Sequence, residues 1–186
     1  MHKEANEEMT RLFLEYLGPC LPREFDVLDV GSLDVNGSYK EDIESLGYSY
    51  FGCDIREGQN VDLVVKISEI GVSEIPLNAC NVDHVISGSC FEHALNPFQL
   101  MQECARVLAP GGYVIINAPF IWHEHDHPYD CFRYLPRGMQ ALFEFAGLKH
   151  IKSYLVDHKN KSTCFGVAQK VKRPEDYELD YKYDRA

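Results

Sequence analysis

A chain of 186 residues with 45% apolar content has the length of one domain and enough apolar mass for a proper core. Its formal net charge of -11 argues against a nucleic acid partner, unless another subunit supplies the cations that phosphate neutralisation needs. No apolar run is long enough to span a bilayer, and no basic segment leads into an apolar one, so neither a membrane span nor a secretory signal is expected.

Residues 3–17 predict an opening helix, with Met9, Leu12, Phe13 and Tyr16 at helical spacing. Pro19 and Pro22 break it before a strand over 26–30, which runs into Gly31. A short helix over 38–46 carries Ile43 and Leu46 on one side and stops at Gly47. A second strand over 49–54 ends in Asp54, and residues 61–65 predict a third. Residues 82–87 predict a fourth. Asn96 and Pro97 start a helix whose expected apolar face is Phe98, Leu100, Met101, Cys104, Val107 and Leu108. Ala109, Pro110, Gly111 and Gly112 predict a tight stop and turn before a strand over 113–117 that is buried on both faces.

A helix over 136–146 closes at Gly147. Two β-rich runs follow, 148–156 and 162–171, separated by a polar segment too short for a helical crossover, so they predict an antiparallel hairpin. The polar stretch 172–186 predicts a loose tail, leaving residues 1–171 as a single domain without an internal repeat. Strands alternating with helices imply a parallel α/β sheet with helical layers. Seven scattered cysteines, an odd number with no CxxC pair, read as reduced thiols in a cytoplasmic protein.

Glycine at the mouth of a parallel strand lets backbone approach a ligand closely. An acid at the tip of the next strand, about twenty residues on, accepts ribose hydroxyls. Gly31 and Asp54 therefore point to a nucleoside-containing cofactor. A dinucleotide-binding domain would want Gly-x-Gly-x-x-Gly leading into a helix. Here Gly31 and Gly37 are separated by the bulky Ser32-Leu33-Asp34-Val35-Asn36.

Over roughly residues 25–170 the chain resembles a class I S-adenosylmethionine-dependent methyltransferase of the methyltransferase type 11-like branch. The segments that carry the resemblance are Val27-Leu28-Asp29-Val30-Gly31, Asp54, Phe91-Glu92-His93, and Arg106-Val107-Leu108-Ala109-Pro110-Gly111-Gly112-Tyr113, in the family's order. The string His125-Asp126-His127-Pro128-Tyr129-Asp130-Cys131-Phe132-Arg133 resembles one found in small-molecule and sugar-pathway members. The resemblance implies a Rossmann-like fold: a mostly parallel seven-stranded sheet, an antiparallel C-terminal hairpin and helices on both faces. It also implies S-adenosyl-L-methionine as cofactor.

The same resemblance implies site roles. Asp29, Gly31 and Ser32 would shape the loop around the methionine moiety, Asp54 would take the ribose hydroxyls, and Ile55 would lie on an adenine face. Ser87, Gly88 and Ser89 would line the floor near the sulfonium. Lys66 stands where the family often carries an acid for the adenine amino group, and lysine cannot accept a hydrogen bond. Ser68 or the backbone carbonyl near Ile67 would serve instead.

The His- and Asp-rich loop over 120–135 follows the fifth strand, at the carboxyl edge where ligands bind in open α/β sheets, and predicts the acceptor pocket. Trp122, Tyr129, Phe132 and Tyr134 are expected as apolar walls. His123, His125 and His127 alternate along the chain, compatible with a three-histidine metal site on an extended segment. A general-base or orienting role for His125 or His127 is preferred, and no metal is expected. His93 reads equally as catalytic or structural. Arg133 reads equally as an acceptor-binding cation or as an anchor to Asp126 or Asp130. Cys90 and Cys131 read as spectator thiols. Asn117-Ala118-Pro119-Phe120 resembles an Asn-Pro-Pro-Phe motif but follows the fifth strand, where that motif follows the fourth.

The expected function is S-adenosylmethionine-dependent methyl transfer to a small molecule or glycan precursor, at a hydroxyl, without nucleic acid or membrane. The alternative is a cofactor-binding methyltransferase-fold domain with a non-catalytic assembly or regulatory role. The sequence carries no interface signature for oligomeric state.

Overall fold

The computed structural model describes residues 3–18, 25–35, 37–65 and 74–171. The expectations for Cys20, Lys66, Ile67, Ser68 and the tail over 172–186 lie outside those residues.

Helix α1 (Lys3–Tyr16) forms because Ala5, Met9, Leu12 and Phe13 recur on one helical face; the last three are fully buried. Each such side chain contributes about 1.5–3 kcal/mol by leaving water. In chain order follow β1 (Phe25–Val30), α2 (Lys40–Ser45), β2 (Tyr50–Asp54), β3 (Leu63–Val64) and β4 (Val82–Gly88). Then come α3 (Pro97–Val107), β5 (Leu108–Ile121), α4 (Pro136–Phe145), β6 (Lys149–His158) and β7 (Lys161–Gln169). Asn96 caps α3, its Oδ1 accepting the Gln99 N–H at 3.2 Å, and Pro97 occupies the first turn, where its missing N–H costs nothing.

The strands form one seven-stranded sheet in the order β3-β2-β1-β4-β5-β7-β6. All pairings are parallel except those of β7, which runs antiparallel to both β5 and β6. The period of two along each strand separates the core into layers. Val27, Ile86, Ile115, Phe165 and Val167 pack under α1 and α2. Leu28, Val85, Val114, Ile116 and Ala168 pack under α3 and α4. From β1 the chain winds outward to β2 and β3, then returns to place β4 on the other side of β1. That reversal opens a crevice beyond the carboxyl ends of β1 and β4.

Two expectations need correction. Phe98 is 43% exposed rather than core-facing, and its ring meets Phe145 at 5.0 Å. At 100° per residue it lies about 130° from the centre of the buried stripe of Leu100, Met101, Cys104 and Val107. The segment 109–112 is not a free turn. β5 begins at Leu108, which pairs with Val82, and the next pair is His84 with Tyr113, so the extra residues bulge out of a continuous strand. Gly111 takes φ +89 there, and a Cβ on Gly112 would stand 2.1 Å from the Asp83 carbonyl oxygen. At its other end β5 runs on to Ile121, because Ala118, Pro119 and Ile121 still pair with β7. Among the described residues no helix is long and apolar enough to cross a membrane.

Candidate active site

A cavity of about 520 Å³ fills the crevice, lined from β1, β2 and β4 at one end and from the segment after β5 at the other. At the first end the chain leaves β1 through Gly31, at φ +83. A Cβ there would lie 2.5 Å from Cys90 Cβ, so both backbone conformation and space demand glycine. The Gly31 and Ser32 N–H groups both donate to the Cys53 carbonyl, at 2.8 and 3.1 Å, pinning this turn onto β2.

Asp29 lies beneath that turn, 3% exposed. Its Oδ2 accepts the Tyr50 hydroxyl at 2.8 Å, while Oδ1 has no hydrogen-bond partner among the described residues. Burial pushes its carboxyl up to about 7, the Tyr50 bond works against that, and nearby Asp54 adds to it. An ammonium group against Oδ1 would supply the missing bond and favour the ionised form. Asp54, at the tip of β2, accepts the Leu33 N–H at Oδ2 and the Arg56 N–H at Oδ1, both at 3.2 Å. Each oxygen retains a lone pair for a further donor. The cavity floor is Gly88 and Ser89. A Cβ on Gly88 would touch the Tyr39 ring at 2.6 Å, and Tyr39 Oη accepts Asn117 Nδ2 at 2.9 Å.

At the far end, residues 122–135 fold back over the tip of β4. The Cys131 and Phe132 N–H groups donate to the Glu92 carbonyl at 2.8 and 3.1 Å, and Tyr134 N–H donates to the Pro119 carbonyl at 3.0 Å. Arg133 binds Asp130 through both guanidinium ends, at 2.5 and 2.7 Å, and Nη2 also donates to the His123 carbonyl at 3.2 Å. The guanidinium holds the Asp130 carboxyl well below the usual carboxylate range. His93 Nδ1 lies 2.5 Å from the Tyr129 carbonyl oxygen, and burial lowers its pKa, so the ring is neutral with the proton on Nδ1. The His93, His125 and His127 rings stand edge-on to one another, centroids 4.9 to 6.0 Å apart.

Residues 28–116 match the family model described as a methyltransferase domain. A probable S-adenosylmethionine-dependent methyltransferase of Mycolicibacterium smegmatis is 36% identical over 55 residues, 30% of this chain and 21% of that protein. The chain therefore matches about a fifth of that relative's length. A S-adenosylmethionine-dependent methyltransferase from Aquifex aeolicus superposes with a TM-score of 0.63 at 18% identity, over 92% of this chain and 100% of the other. The 1,6-didemethyltoxoflavin-N1-methyltransferase of Burkholderia thailandensis gives 0.62 at 17% identity, over 90% and 77%. These two likenesses are of fold. Residues 28–116 thus match a methyltransferase domain, and the relative and the structures that the chain resembles are methyltransferases.

Asp29, Gly31, Ser32, Asp54, Ile55, Gly88 and Ser89 all line the cavity, as do His93, His125 and His127. Ser87 does not. It is fully buried and its hydroxyl donates to the Val30 carbonyl at 2.6 Å, tying β4 to β1. Arg133 is also away from the lining, its guanidinium committed to Asp130, so of its two expected roles the structure has the anchor. Trp122 and Tyr129 form walls, but Tyr134 is buried with its hydroxyl on the Phe91 carbonyl at 3.0 Å, and Phe132 is not part of the lining. Burial raises the Cys90 thiol well above its ordinary value, which keeps it protonated and unreactive.

Sequence reasoning passed over Tyr39, set Asn117 aside with its motif, and gave Glu92 no role of its own. The first two build the floor by contact across 78 positions, which no local pattern announces. Glu92 stood inside a quoted motif, and the signal was an acid between Phe91 and His93 a few residues after β4.

Proposed function

We propose that this domain transfers the methyl group of S-adenosylmethionine to a small molecule or glycan precursor, at a hydroxyl. The observation that carries the reading is one cavity joining the Asp29–Asp54 end to a wall of imidazole and aromatic rings. The residues fit the cofactor: Asp29 Oδ1 is an unpartnered buried oxygen suited to an ammonium, Asp54 keeps lone pairs for two hydroxyls, and Ile55 offers an apolar face. When bound, S-adenosylmethionine supplies a methyl carbon made electrophilic by its positive sulfur.

The chain's own task is positioning and proton removal. Trp122 and Tyr129 supply flat apolar faces suited to a small scaffold. His127 is exposed at the mouth of the cavity, where an imidazole can take the acceptor proton and pass it to water. His93 is turned by its bond to Tyr129 so that Nε2, unprotonated, faces inward. The net charge of -11 supports a small acceptor over a polyanion.

Calorimetry with S-adenosylmethionine and S-adenosylhomocysteine, followed by mass detection of methyl transfer to a panel of hydroxylated small molecules and nucleotide sugars, tests this reading. Binding of both cofactor forms and transfer to oxygen are expected. Absence of cofactor binding would overturn it, and tight binding without turnover on any acceptor would favour the non-catalytic role.

A further inference from the structure

We propose that Glu92, His93 and His125 form a site for a divalent first-row transition cation, of the class of Mn²⁺, Fe²⁺ or Zn²⁺, at the acceptor end of the cavity. The sequence reading expected no metal, and the three-histidine set it weighed is not the one the fold assembles. One donor atom from each of Glu92, His93 and His125 lies within 4.8 Å of the others. The set joins two separate elements: the turn after β4 supplies Glu92 and His93, and the segment after β5 supplies His125.

The carboxylate is what calls for an ion. Glu92 is fully buried and lines the cavity, and among the described residues no donor from another residue bonds either of its oxygens. A buried carboxylate left so is costly unless a cation or a proton meets it. His93 Nε2 lies 3.6 Å from Oε1. The tautomers of both histidines suit ligation. His93 Nδ1 faces the Tyr129 carbonyl oxygen at 2.5 Å, an acceptor, so its proton is there and Nε2 carries the lone pair. His125 Nδ1 lies 3.1 Å from the His123 carbonyl oxygen and 3.3 Å from Asp130 Oδ2, both acceptors, which again frees Nε2. Holding the far nitrogen of each ring on a carbonyl or carboxylate is how proteins orient metal-binding histidines. Arg133 in turn fixes Asp130.

Two imidazoles among three donors favour a transition cation over Mg²⁺ or Ca²⁺, which prefer oxygen. Bond lengths near 2.1 Å would hold donors about 3.0–3.4 Å apart, so the side chains must draw in by roughly an ångström. Three protein ligands leave coordination positions open toward the cavity. The ion's use, though not its binding, rests on the methyl-transfer reading. It would polarise the acceptor hydroxyl and ease loss of the proton to His127. The oxygen's electron pair then forms the new C–O bond, and the C–S pair leaves with sulfur.

The test uses tag-free protein stripped with chelator, titrated without cofactor with Mn²⁺ and Zn²⁺ by calorimetry and with Co²⁺ by visible absorption. One ion per chain is expected. Glu92→Gln and His125→Ala should each weaken binding at least 30-fold, Asp130→Asn about tenfold as an orienting change, and His123→Ala not at all. No stoichiometric ion, or affinity unchanged in Glu92→Gln and His125→Ala, would overturn the site. Should Glu92→Gln misfold, His125→Ala in the surface segment decides. A stripped enzyme with full turnover overturns the ion's use in the reaction and leaves methyl transfer standing. Failure to bind S-adenosylmethionine does the reverse.

Discussion

Asp130 holds His125 at two points: Oδ2 accepts the backbone N–H at 2.8 Å and lies 3.3 Å from the ring Nδ1. The carboxylate is nearly inaccessible, with 1% of its side chain exposed, and Arg133 covers its other edge. Burial of this kind makes a charge-assisted bond stronger than on an open surface. The arrangement fixes one imidazole face toward the cavity.

Asp130→Asn keeps the shape and removes the charge that orients the ring. Methyl transfer should fall tenfold or more, while S-adenosylhomocysteine affinity stays within about twofold, since the cofactor end is untouched. Equal losses in both measurements would show that the change had spread through the fold.

Asp54→Ala should weaken both S-adenosylmethionine and S-adenosylhomocysteine by about 1.5–3 kcal/mol, the range for hydrogen bonds to a charged group. Nicotinamide dinucleotides should not bind the parent protein. Unchanged cofactor affinity in the variant, read by calorimetry, would remove Asp54 from the ribose.

Asp29 gives a pH dependence with a definite sign. In the folded protein it titrates at about 7, against an ordinary 3.8. Between those values the folded state keeps a proton that the unfolded state has lost, so stability falls as pH rises from about 4 to about 7. Asp29→Asn should therefore stabilise the cofactor-free protein above pH 7, by on the order of 2–4 kcal/mol, and weaken S-adenosylmethionine at least tenfold. Denaturant melts at pH 5 and pH 8 check it: no larger gain at pH 8 would mean that Asp29 is already compensated.

His84 works in the other direction. It is 4% exposed, burial lowers its pKa to about 4, and its Nδ1 accepts the Tyr113 N–H at 3.3 Å, which requires the neutral ring. Its unfolded value is the higher one, so its contribution is complete above about pH 6.5 and is lost as pH falls toward 4. A loss on the order of 2–3 kcal/mol is expected over that window. His84→Gln should flatten this part of the pH–stability curve, and an unchanged slope would assign the acid loss elsewhere.

Much of the fold is legible in local pattern. The alternation around Val27, Ile86 and Ile115, the helical spacing of Met9, Leu12 and Phe13, and the short polar link in the hairpin each reflect one element burying one face. The limits of that reading appear where one element meets another. Nothing local shows that 109–112 stays in register as a bulge, because β4 sets that pairing.

The sequence by itself determined the order of elements, the glycine turn at Gly31 and the acid at Asp54, since each is a demand of backbone conformation or strand-tip chemistry made within a few residues. Tertiary structure alone decided the end of the cavity built by the segment after β5. Arg133 became an anchor because Asp130 folds against it, and Ser87 a strand clamp because Val30 offers its carbonyl. Glu92 met His93 and His125 because the turn after β4 and the segment after β5 converge. Side-chain pairing across tens of residues depends on where the sheet brings the chain back, and spacing along the chain does not encode that.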